Sequence, residues 1–281
     1  MKKILFLIAA MGLLMSAISC SDDDEPRSGR SEFTVNTPMV NHVYNTVSGE
    51  VLGMSATYNK LTIDTAKHTA SLELRYNDGV EKKTQINDIV AKPKRLGFYE
   101  LSSPSNASFS GYVDFNEAAM RYSYTTADGI RVISTIPDVF YLKTKNTISY
   151  LDTTKTTVMD NTMYQFTMTP VNNTAIVKVM GIVHAKHNKY FNNITATSVP
   201  VTVTRDGYII SGQNIATTAY YRASMDSTGT SAGVKVTDKY PFKTFNAVVD
   251  LEKDSIVANF MIGDSAVVVA TGRTYPDYTA Y

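Results

Sequence analysis

Residues 109–135 recur without a gap at residues 245–271, and no other feature of this 281-residue chain limits its fold as strongly. Across the shift of 136 positions Phe109, Val113, Asp114, Asp128, Val132 and Thr135 meet identical residues. Tyr112, Phe115, Met120, Tyr124, Ile130 and Ile133 meet apolar ones. Each copy alternates into an aspartate (Asp114, Asp250), reverses over a few polar positions, alternates again, and reverses at Asp128-Gly129 or Asp264-Ser265. Period-two alternation between turn residues is the pattern of strands, so each copy reads as a three-stranded antiparallel meander.

The repeat extends towards the N-terminus with a changing offset. Residues 37–44 align with 157–164 at an offset of 120, matching Thr, Met, Asn and Tyr. Val40, Val43, Tyr44 and Val47 have helical spacing, Thr37 can cap, Pro38 suits a first turn and Gly49 can end it, which predicts a short helix opening the first copy. Strands follow at 61–65 and 71–76, with counterparts at 175–183 and 199–204, and with Asp78-Gly79 and Asp206-Gly207 as matching turns. Offsets of 119 near His68, 128 at these turns, 136 in the meander and 139 at a closing Thr-apolar-Pro-Asp place growth in copy two around residues 188–192 and in the loop 226–233. Loops tolerate insertion and commonly carry function.

A Thr- and Lys-rich stretch at 143–157 sets the boundary, giving a first unit at 33–148 and a second at 149–281. The expected class is mainly β: two tandem homologous meander units, each a small sandwich or open barrel with at most one short helix. Residues 266–270, Ala-Val-Val-Val-Ala, are apolar on both faces and predict a central strand or one between the units.

With 43% hydrophobic and 19% charged residues the chain can bury an ordinary core. Loss of residues 1–19 would remove two of its 27 basic residues against 26 acidic ones, a net charge of −1. Nucleic-acid binding calls for a basic excess and is not expected.

Lys2 and Lys3, the apolar run 4–15 and small residues up to Ser19 form a secretory signal peptide too short to span a bilayer. Cys20, the single cysteine, sits where cleavage would fall, and Ser21, Asp22, Asp23, Asp24 and Glu25 follow it. Together these residues resemble the lipobox and acidic export signal of Bacteroidota lipoproteins. The resemblance implies a lipidated Cys20, a flexible tether over 20–32, and display on the outer face of the outer membrane. By chemistry alone the acidic run is a solvated spacer, since like charges do not pack. The tripeptides beginning at Asp64, Asp152, Asp226, Asp254 and Asp264 resemble the Bacteroidota O-glycosylation signal, which would make Thr65, Thr153, Ser227, Ser255 and Ser265 acceptors. Asp-Ser and Asp-Thr are equally ordinary turn formers.

Candidate chemistry is sparse. His184 and His187 are the only close histidine pair, but residues three apart on a strand point to opposite faces and no cysteine or close carboxylate completes a site, so neither metal nor cofactor is expected. His42 and His68 lie apart from any Gly-x-Ser-x-Gly or HExxH motif. Tyrosine is abundant at 18 and tryptophan absent. Tyr220, Tyr221, Tyr240, Tyr275 and Tyr278 lie in or near predicted loops, where aromatic faces could stack on a sugar. The reading is a non-enzymatic surface binding module whose partner is a glycan or a surface protein. The alternatives are a structural subunit of a pilus-type assembly offering strand edges, and a hydrolase with dispersed carboxylates.

Overall fold

The computed structural model describes residues 32–116, 119–136, 140–150, 156–184, 189–223, 233–237, 239–263 and 266–273. The chain divides into two compact units, Met1–Pro137 and Asp138–Tyr281. Both are mainly β and antiparallel, as the repeat implies.

The first unit holds β1 (Glu32–Asn45), β2 (Val51–Asp64), β3 (Thr69–Asn77), β4 (Glu81–Arg95), β5 (Phe98–Ser102), β6 (Ser110–Asp114), β7 (Ala119–Thr125) and β8 (Ile130–Thr135). Each strand pairs with the next, and β8 returns to β1 along Val40–Asn45, closing an eight-stranded up-and-down barrel. Closure removes free sheet edges. The sandwich and open-barrel alternatives are thus replaced by a closed barrel in this unit.

The expected helix in residues 37–49 is also replaced. These residues run through β1 into the β1–β2 turn, and from Met39 to Tyr44 every residue is buried. Met39 and Val43 face the barrel core, while Val40, His42 and Tyr44 are buried on the other face. Burial on both sides removes the period-two signal, and the buried polar pair Asn41 and His42 interrupts the apolar residues, which leaves Val40, Val43 and Tyr44 at a spacing that mimics a helix.

The second unit contains β9 (Phe140–Tyr150), β10 (Thr156–Thr169), a single 3-10 turn at Pro170–Asn172, β11 (Thr174–Met180), β12 (Ile182–His184), β13 (Lys189–Thr204), β14 (Gly207–Ile215), β15 (Thr217–Ala223), β16 (Gly233–Thr237), β17 (Phe242–Asp250), β18 (Ser255–Ile262) and β19 (Ala266–Arg273). Pairing runs β9–β10–β11–β13–β14–β17–β18–β19 and back to β9, so eight of its strands also form a ring. The ring leaves out β12, β15 and β16, which pair around the N-terminal half of β13 as an extension. β19 is paired on both sides; Val268 and Ala270 are buried, and Val269 between them is 41% exposed.

Strand β9 accounts for a misplaced register in the sequence repeat. The meander is aligned correctly, β6–β8 matching β17–β19. Its neighbour across the ring is β1 in one unit and β9 in the other. Asn41 therefore corresponds to Asn146, and the pair Asp64/Thr69 to Thr169/Thr174, 105 positions on. The alignment of 37–44 with 157–164 set β1 against β10, one strand late, because β9 runs through the first half of the stretch taken as the boundary. Asp78-Gly79 turns β3 into β4, whereas Asp206-Gly207 turns β13 into β14 and corresponds to Leu96-Gly97. The two glycine turns make the same long-range contact: Phe115 N–H donates to Gly97 O at 2.9 Å, and Leu251 N–H to Asp206 O at 2.7 Å. In copy two the growth falls around β12 and, mainly, between β14 and β17.

The interior of the first barrel is filled. Leu61, Ile63, Leu72, Leu74 and Val132 are fully buried in one apolar cluster with Met39, Met120 and Ile89. Between β2 and β3 the ladder runs only from Lys60 to Asp64, so Arg75 on β3 has no strand partner on that side. Side chains take over: Arg75 N–H donates to Asn59 Oδ1 at 2.6 Å, and Arg75 O accepts from Thr57 Oγ1 at 2.8 Å and Asn41 Nδ2 at 3.2 Å. Asn59 Nδ2 in turn donates to the Tyr122 hydroxyl and Ser134 Oγ to Asn41 Oδ1, so these side chains and the Arg75 backbone form one connected network.

Candidate functional site

A packed barrel interior leaves ligands to the ends and the outer surface. One barrel end carries the turns β1–β2, β3–β4, β5–β6 and β7–β8, and there β4, the β5–β6 loop and the end of β7 enclose a recess of about 300 Å³. Ile86 and Tyr124 form its apolar part; Gln85, Asn87, Asp88, Ser105 and Asn106 supply the polar part. Ile86 is buried at 6% exposure because β4 turns it towards the core, while its neighbours Gln85 and Asn87 point outwards.

The loop is held by the carboxylate it surrounds. Ser103 Oγ donates to Asp88 Oδ1 at 2.9 Å, and Ser105 N–H donates to Asp88 Oδ2 at 2.8 Å. The hydroxyl and amide of Ser105, then the Ser103 hydroxyl, hold the Asp88 carboxyl below its ordinary value, so it is ionised and acts as an acceptor. Asn106 Oδ1 accepts from Ser108 N–H at 2.9 Å, and Gln85 Nε2 donates to Asn87 Oδ1 at 3.0 Å. These bonds orient three amides and leave Gln85 Oε1, Asn87 Nδ2 and Asn106 Nδ2 without partners among the described residues. The recess thus offers two fixed donors, two acceptors and one aromatic ring. Such a set recognises clustered hydroxyl groups. None of its residues was predicted as a contact, Tyr124 entering only as an apolar position of the repeat; the signal was the polar run Gln85, Asn87, Asp88 opposite a Ser- and Asn-rich loop.

The tyrosines predicted as contacts separate into two groups. Tyr221 and Tyr240 are 9% and 7% exposed and pack edge-on against Phe191, with ring centroids 5.8 and 4.9 Å away. They are the core of the extension in the second unit. Tyr220, one residue before Tyr221, points to the other face at 37% exposure, with Lys235 Nζ 5.7 Å from its ring. Tyr275 and Tyr278 lie outside the described residues, as do Cys20, Ser21, Asp22, Asp23, Asp24, Glu25, Thr153, Ser227 and Ser265.

Thr65 and Ser255 are described and half-buried, each at a turn. Asp64 Oδ1 accepts from the amides of Ala66 and Lys67, both at 3.0 Å, so this tripeptide is also an Asx turn. His42 is buried in β1, His68 occupies the β2–β3 turn with φ 58°, His184 lies in β12 and His187 is outside the described residues. Among the described residues no group of three or more His, Cys, Asp or Glu is placed to hold a metal ion, and no helix is long and apolar enough to cross a membrane.

The class defined here is a pair of eight-stranded antiparallel rings with a polar recess at one end of the first. No protein-family model, curated protein or solved structure matches the chain.

Proposed function

We propose that this protein is a non-enzymatic surface lipoprotein, anchored in the outer membrane through Cys20 and displayed outwards by the acidic tether, that binds a neutral glycan in the recess of its first unit. The observation that supports this is the recess itself: unpartnered amide donors and acceptors, one hydrogen-bonded carboxylate and a tyrosine ring around about 300 Å³. Planar amides and a carboxylate match the paired hydroxyls of a pyranose, and an apolar part with few oriented polar groups is the usual composition of a small-ligand site. Among the described residues Asp88 is the only carboxylate lining the recess. Glycoside hydrolysis uses two carboxylates across the bond, so the lining favours binding over cleavage.

The test is a glycan array probed with the purified protein. Binding to a neutral saccharide class is expected, with affinity falling about tenfold in Asp88→Asn and in Asn87→Ala, in keeping with the loss of one hydrogen bond to the sugar, charge-assisted at Asp88. A folded protein that leaves the array blank would overturn this reading. The anchor is tested separately: Cys20→Ala is expected to release the protein from membranes.

A further inference from the structure

We propose that the outward face of the β13–β15–β16 extension is a second binding site, independent of the recess, for an extended anionic polysaccharide. On this face Tyr190 lies directly opposite Arg222, and Tyr220 lies between Asn193 and Lys235 in the adjacent rung. Tyr190 and Tyr220 are 45% and 37% exposed although the opposite face of the same strands buries Phe191 and Tyr221. Arg222 has no partner among the described residues, and Lys235 only the ring of Tyr220. The paired residues of this face include no carboxylate. Two tyrosine rings and two cations without an acidic partner among the described residues lie on neighbouring strands and form a strip that is apolar and positive at once.

The chemistry of the strip selects its occupant. Tyrosine faces stack on the C–H faces of sugar rings, while Arg222 and Lys235 meet carboxylate or sulfate groups along the chain. A peptide added as a strand would pair at a sheet edge through its backbone, and these four side chains lie on a face. Nucleic acid depends on many phosphate contacts, and two cations supply too few. The site goes beyond the neutral-glycan reading and uses none of its residues.

The test measures binding of the full chain to polygalacturonate, with dextran as the neutral control and poly-glutamate as the anionic peptide control, at low and at physiological salt. Polygalacturonate is expected to bind in preference to both controls. Affinity should fall at least tenfold in Arg222→Ser, Lys235→Glu and Tyr220→Ala, and stay unchanged in Asp88→Asn, which separates this site from the recess. Absence of binding at low salt would overturn the proposal. So would binding that the three variants leave intact, or poly-glutamate binding as tight as polygalacturonate and indifferent to Tyr220→Ala. Circular dichroism of each variant confirms that it folds; all four positions are on exposed side chains or loops, and Tyr190→Ala provides a further variant should one fail.

Discussion

At the scale of single residues, the buried hydroxyl of Tyr122 carries the sharpest consequence. Burial holds its ionisation far above the ordinary range, so it acts only as a neutral partner, accepting from Asn59 and completing the chain of side chains that satisfies Arg75. Tyr122→Phe keeps the ring and strands the Asn59 amide, and is expected to lower stability by about 1–3 kcal/mol in denaturant unfolding, with an unchanged m-value. Gly111 sits directly opposite Tyr122, and a Cβ there would meet Arg121 O at 2.6 Å and Tyr122 Cβ at 2.7 Å. Gly111→Ala should therefore cost about 1–3 kcal/mol by overpacking, readable as a reduced midpoint in the same measurement. The repeated aspartates were legible in sequence as turn residues and act as such: Asp114 Oδ1 accepts from Asn116 N–H at 3.0 Å and Asp250 Oδ1 from Lys253 N–H at 2.9 Å. The Tyr122 network was not legible, because Asn41, Thr57 and Asn59 carry no local pattern; only barrel closure brings them together.

Among the elements, the meanders could be read because alternation and turn residues agree there, each strand having one buried and one exposed face. β1 could not, since burial on both faces erases period two. Nor could β9, whose Lys- and Thr-rich composition resembles a connection until its pairing with β19 is known. The recess was illegible for a further reason: its two sides, β4 and the β5–β6 loop, are remote from one another in any local pattern, and five polar residues acquire meaning only when they face one volume. The corresponding corner of the second unit is where β15 and β16 are inserted, so one barrel position is elaborated in both copies. β16 has no partner on its outer edge among the described strands, and Lys235 at its centre discourages pairing with another chain. Lys235→Val is expected to raise light scattering on concentration, while the wild-type protein stays clear.

For the whole molecule, acid is the natural stress. The carboxyls of Asp64, Glu73, Asp88 and Asp128 are held low chiefly by side-chain hydrogen bonds from Lys67, Lys83, Ser105 and Thr126. Burial raises the Asp250 carboxyl, but bonds from Lys253 outweigh it and the net displacement is again downwards. A carboxyl with a lower pKa in the folded state contributes stability above its unfolded pKa of about 4, and that contribution disappears as pH falls through the folded value. The melting temperature should accordingly drop below about pH 4, and the loss should shrink when Asp64 is replaced by Asn. Seven of the eight ladders in the first barrel join strands adjacent in sequence, and these form early and locally. The eighth, β8 against β1, joins the two ends of the unit. A growing chain can therefore lay down hairpins as it emerges but cannot finish this barrel until Thr135 has been made, so the unit's last-synthesised strand also decides when it becomes resistant to a protease.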